Sequence, residues 1–152
     1  MMSPPSPTDS KILVYGIGNP GRRDDGLGPA LVELLEAARL EGVDLDSNYQ
    51  LNIEDALACS KHDTVIFADA SETAETPFAF IRLEPSREIA FTTHELSPAA
   101  VLALCEELYG RRPQAWVMAI RGHEWDIGEG LSPEAEVCLS AALAFLLGRL
   151  KP

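Results

Sequence analysis

Two rhythms of apolar residues alternate along this chain. Short, largely apolar runs stand at 12–17, 64–68, 78–83 and 115–120. Between them, apolar residues recur every three or four positions, the spacing of a helix with one buried face. The first run reads as a strand central to a parallel sheet, because both of its faces are apolar. The helix behind it carries Leu27, Leu31, Leu34 and Leu35, runs to about Leu40 and is ended by Gly42. A weaker strand at 49–53 leads into a short helix around Ala56, Leu57 and Ala58, and the run 64–68 is a third strand with Asp69 at its C-terminal end. The gap from Asp69 to Phe78 is too short for a crossover helix, which needs a dozen or more residues. The fourth strand, Phe78–Leu83, is therefore expected to run antiparallel at an edge.

Ser97 supplies an N-cap and Pro98 the first helical position of the next helix. Its face carries Val101, Leu104, Cys105 and Leu108, and Gly110 ends it. After a fifth strand at 115–120, Ser132, Pro133 and Glu134 open a last helix with Val137, Ala141, Ala144 and Phe145 as its buried stripe. The order β-α-β-α-β-β-α-β-α predicts an α/β fold, a three-layer sandwich of a mostly parallel five-stranded sheet with helices on both faces. The order of the strands within the sheet is not readable from this pattern.

Length and composition narrow the setting. The 152 residues suit one domain, placed at 11–150, and 46% hydrophobic with 24% charged residues is ordinary for a globular chain. Residues 1–10 lack the basic and apolar regions of a secretory signal and read as a disordered tail. No apolar stretch reaches the length of a membrane span. The 24 acids against 12 bases leave a net charge of −12. Such a field repels nucleic-acid backbones and anionic membranes, so neither is expected as a partner. Cys59, Cys105 and Cys138 are odd in number, form no C-x-x-C and lie among apolar neighbours. They read as buried hydrophobes in a reducing compartment, hence a cytoplasmic protein.

The candidate chemistry begins at residues 16–28, GIGNPGRRDDGLG, the turn from the first strand into the first helix. An open α/β sheet binds ligands beyond the carboxyl ends of its strands. A loop built for phosphate would avoid the adjacent carboxylates Asp24 and Asp25, so the pair points to a cation or to acid–base work. Asp69 closes the third strand, and Thr92, Thr93, His94 and Glu95 precede a helix start that faces the same edge. Two carboxylates and an imidazole converging there would make an open site for a divalent first-row metal. Taken singly, Asp25 reads equally well as an N-cap, Asp69 as a strand end and His94 as an exposed helix-start residue. His62 and His123 read as structural.

Gly16, Gly18 and Gly21 also satisfy G-x-G-x-x-G, a weak dinucleotide signal contradicted by the carboxylates beside it. The same words look like the opening of peptidyl-tRNA hydrolases. Their Arg-His-Asn continuation is absent here, and the net charge of −12 suits tRNA poorly.

As a whole the chain resembles the hydrogenase maturation proteases, which process the large subunit of nickel–iron hydrogenases. The resemblance runs from Lys11 to about Leu147. It rests on G-x-G-N-P-x-R-x-D-D-G-x-G-P, on Ala68-Asp69-Ala70, on Thr93-His94 before Leu96-Ser97, and on Leu131-Ser132-Pro133-Glu134. It implies a twisted five-stranded sheet between helices and metal-contacting positions at Asp25, Asp69 and His94. It also implies removal of a C-terminal extension from the hydrogenase large-subunit precursor by a protease that reads nickel held by the substrate; a monomer is expected. No organic cofactor is expected. In this reading Asp25 and Asp24 are the candidate catalytic carboxylates, with Asp24 as proton acceptor. Many relatives carry an Asp-Gly-Gly-Thr stretch after the second strand; here the region reads Gln50 to Ala56, with Glu54 and Asp55 as possible substitutes. A nickel chaperone or sensor using the same ligands without hydrolysis is the alternative.

Overall fold

The computed structural model describes residues 11–86 and 96–150. Its five strands are β1 (Ile12–Ile17), β2 (Val43–Asn48), β3 (Thr64–Ser71), β4 (Phe78–Leu83) and β5 (Gln114–Arg121). They form one sheet in the order β2-β1-β3-β5-β4. The pairs β1–β2, β1–β3 and β3–β5 are parallel, and β4 runs antiparallel to β5 at the edge, as its short connection to β3 requires.

Four helices cover the sheet: α1 (Leu27–Ala38), α2 (Glu54–Ser60), α3 (Pro98–Tyr109) and α4 (Pro133–Leu150). On one face Leu27, Leu31, Val32 and Leu35 of α1 and Ala135, Cys138, Leu139, Ala142 and Leu146 of α4 pack on Val14, Ile66, Met118 and Ile120. On the other, Ala56 and Cys59 of α2 and Val101, Leu102 and Cys105 of α3 pack on Leu13, Tyr15, Val65, Phe67 and Ala115. Two cores separated by a sheet are what strands apolar on both faces demand.

Several boundaries differ from the sequence expectation. The second strand is not at 49–53 but at Val43–Asn48. Val43 and Leu45 turn inward there, while Asp44 and Asp46 are exposed on the opposite face of an edge strand. Tyr49 and Ile53 are exposed instead. β3 continues past Asp69 to Ser71, so Asp69 lies within the strand, opposite Ile17 of β1 and Ala119 of β5. α1 stops at Ala38 with Arg39 in the left-handed conformation, short of Leu40. The buried stripe of α4 is rotated from the expected one: Val137 is 70% exposed and Phe145 38%. Both stripes of that helix are apolar at helical spacing, and contact with the sheet selects Ala135, Cys138, Leu139, Ala142 and Leu146. Leu34 and Leu108 likewise face outward.

All three cysteines are free and buried, and burial pushes the Cys59 thiol up to about 12. Among the described residues no helix is long and apolar enough to cross a membrane.

Loop and sheet meet through glycine. A Cβ at Gly28 would fall into the backbone oxygens of Ala68 and Ile17, the two central strands on which the start of α1 rests. Gly28→Ala is therefore expected to cost about 2–3 kcal/mol as the helix is pushed off the sheet. Urea denaturation checks this, and an unchanged midpoint would mean that α1 is not seated so closely.

Candidate functional site

β1 sends its chain to β2 on one side and has β3 as its neighbour on the other, so the switch point of the sheet lies between the carboxyl ends of β1 and β3. The loop after β1 folds back over this point. Gly18 (φ +145°) leaves room for the backbone carbonyl of Asp25, which a Cβ would occupy. Within the loop Asn19 Oδ1 accepts from Gly21 N at 2.8 Å, and Asn19 N donates to Asp25 Oδ2 at 2.9 Å. A short 3-10 helix, Arg23–Gly26, then leads into α1.

The adjacent carboxylates have opposite environments. Asp24 is fully buried. It accepts from His123 N at 2.7 Å, Glu124 N at 2.8 Å, Ser132 N at 2.8 Å and Ser132 Oγ at 2.7 Å. Burial raises its pKa, but the hydrogen bonds from Ser132, His123 and Glu124 outweigh that and hold it below the ordinary 3.8. A group so committed is a poor proton acceptor, since taking a proton would disrupt bonds that favour its charged form. The structure thus shows Asp24 holding the backbone of three other residues in place. Ser132 Oγ also accepts from Ala135 N at 3.1 Å, so Asp24 anchors the first loop to the N-terminus of α4.

Arg22 and Arg23 reinforce the same junction. Arg22 bridges to Gly128, Arg23 N donates to Gly128 O at 2.9 Å, and the Arg23 guanidinium meets Glu124 at 2.9 Å. Neither Ser132 nor the arginines stand among the site residues expected from the sequence, although Arg22 and Ser132 stand in two of the motifs that carry the resemblance.

Asp25 is half-buried and does not cap α1, whose N-cap is Gly26 without a side-chain bond. One of its oxygens is held by Asn19 N, which orients the carboxylate. Its carbonyl covers Gly18, the residue after Ile17, and Ile17 stands opposite Asp69. The backbone of Asp25 and the strand position of Asp69 thus both adjoin the end of β1. Asp69 alternates with Val65 and Phe67 and so lies on the sheet face that α2 and α3 cover. His94 lies outside the described residues. Two positions beyond it, Leu96 bridges to Leu51, and Ser97 caps α3 through its hydroxyl, which accepts from Ala100 N at 3.1 Å. Among the described residues no group of three metal-ligating side chains occurs.

The substitutes for the missing family stretch differ in availability. Glu54 is exposed, whereas Asp55 Oδ2 accepts from Asn52 N at 2.7 Å and from Tyr15 OH at 3.2 Å. That ties the start of α2 to β1, and burial together with Asp55 raises the Tyr15 phenol above its ordinary range. His62 is structural, as expected: its ring nitrogens lie 2.7 Å from Ala58 O and 2.6 Å from Asp44 Oδ2. The side chain of His123 is exposed, and its backbone N–H serves Asp24.

No protein-family model matches the chain, and no curated protein does either. Solved structures do. The chain is 26% identical to the hydrogenase maturating endopeptidase HybD from Escherichia coli, with a TM-score of 0.71 over 92% of this chain and 91% of that one. An endopeptidase from Escherichia coli solved in solution is 27% identical, with a TM-score of 0.68 over 92% and 91% of the two chains. The nickel–iron hydrogenase maturation protease HycI from Thermococcus kodakarensis shares the fold, with a TM-score of 0.73 at 22% identity over 94% of each chain.

Proposed function

We propose that the chain is a peptidase of the hydrogenase maturation protease family and that it removes a C-terminal extension from the large-subunit precursor of a nickel–iron hydrogenase after nickel insertion. The observation that carries this reading is the likeness to the Escherichia coli endopeptidases over nine-tenths of the chain.

In this reading the nickel belongs to the substrate. Asp25, Asp69 and His94 grip it, which brings the scissile peptide bond to the switch point between β1 and β3. Two carboxylates and an imidazole suit such an ion and leave coordination positions to the substrate. Held there, the substrate's nickel would supply Lewis acidity toward the scissile carbonyl or a water. Asp25 is supported as the catalytic carboxylate by its half-exposed position and by Asn19 N, which occupies one of its oxygens. Asp24 acts one step back, by fixing the loop that carries Asp25. A thiol nucleophile is disfavoured, because burial raises the pKa of all three cysteines.

The deciding test mixes the purified protein with the precursor, with and without nickel, and follows the precursor by intact-protein mass spectrometry. Loss of a short C-terminal segment only in the nickel-loaded sample is expected. An unchanged mass with a precursor verified as nickel-loaded would overturn the reading.

A further inference from the structure

Arg121, the last residue of β5, stands opposite Ser71 of β3, two positions along from the Asp69–Ala119 pair. Alternation puts Arg121, Ala119 and Asp69 on one face of the sheet, at its carboxyl edge. Arg121 N donates to Pro77 O at 3.1 Å, and Nη1 donates to Ala74 O at 2.8 Å, so the loop between β3 and β4 holds the side chain. Nε is buried with no hydrogen-bond partner, the sole such side-chain atom among the described residues. A guanidinium carries five N–H donors, and leaving a charged donor buried and unbonded is costly. Structural arginines are normally placed to avoid this.

We propose that Arg121 is a substrate-binding residue that donates to a backbone carbonyl oxygen of the precursor chain. The proposal rests on the peptidase reading above. A two-residue offset on the neighbouring strand separates Arg121 from Asp69 by about 8 Å. An extended peptide advances 3.3–3.6 Å per residue, so the carbonyl it meets lies about two residues from the one at the nickel. Because Nε is closed to solvent in the free protein, docking includes a change of Arg121 rotamer that exposes it. Arg121 would then select precursor segments that lie extended along the sheet edge, which a grip on nickel alone does not require.

The test compares wild type with Arg121→Met and Arg121→Lys in the full chain. The Met variant removes every donor; the Lys variant keeps charge and reach toward Ala74 O but not the guanidinium fork. Processing kinetics, precursor binding and thermal stability are measured for each. The expected result is a 10- to 100-fold rise in KM for the Met variant, with a smaller fall in kcat. Its Tm should stay within about 3 °C of wild type, and added guanidinium ion should partly restore binding. The Lys variant should fall between the two. Wild-type KM in both variants, with processing intact, overturns the role of Arg121 and leaves the peptidase reading standing. A wild type that binds the precursor through Arg121 but never cleaves it overturns the peptidase reading and leaves this one. No binding of the precursor by wild type overturns both.

Discussion

Asp24→Ala is expected to destabilise the protein by about 3–5 kcal/mol at pH 7, a large part of the 5–15 kcal/mol that holds a typical domain together. The change strands four donors at once: the backbone N–H groups of His123, Glu124 and Ser132 and the Ser132 hydroxyl. Each buried donor left unbonded costs about 1–3 kcal/mol, partly recovered as the loops open to water. The charge sets the pH dependence. A carboxylate whose folded pKa lies below its unfolded value stabilises the fold above the unfolded value, and this is lost as pH falls through the folded one. For Asp24 the contribution is therefore complete well above 3.8 and disappears on acidification below it. Urea denaturation of wild type and Asp24→Asn between pH 2 and 7 reads both effects. The gap between the two should close at the acid end; a gap independent of pH, or no gap at all, would rule out the anchoring role.

Asp25→Asn, Asp69→Asn and His94→Ala should each lower processing of the nickel-loaded precursor by roughly 100- to 1000-fold, the scale of losing one charge-stabilising group at a reacting centre. Asn at 25 still offers an oxygen to Asn19 N, so the loop keeps its shape while the charge is lost. Near-normal unfolding midpoints together with lost processing would assign the three residues to the chemistry. Processing at wild-type rate in any of the variants would remove that residue from the site. The contrast with Asp24 is the informative part. One carboxylate of the pair should fail in folding, its neighbour in catalysis.

That contrast could not be read from the sequence, where Asp24 and Asp25 look interchangeable. Their environments are separated by the loop 122–132, a hundred positions away, from which three backbone donors reach Asp24 and none reaches the Asp25 carboxylate. Long-range polar satisfaction leaves no local signature. The second strand was misplaced for a related reason. Asp44 and Asp46 look like loop residues until β1 is laid beside them, with Val43 and Leu45 turned to the core. The rotated stripe of α4 shows the limit of periodicity, because two faces of that helix meet the spacing rule and only the sheet chooses between them.

Local chemistry carried the rest. Runs apolar on both faces announce buried parallel strands, a connection too short for a crossover forces β4 to turn back, and Ser97-Pro98 starts a helix through its own hydroxyl and ring. These features act within a few residues, so the α/β class, the antiparallel edge and the glycine-rich loop at a strand end were legible along the chain. The strand order, and with it the switch point between the ends of β1 and β3, depends on which strands pair across large sequence separations. So does the under-bonded state of Arg121, which exists only because β3, β4 and β5 meet at one corner. Contacts of that range are set by the packing of the whole sheet, and only the tertiary structure decides them.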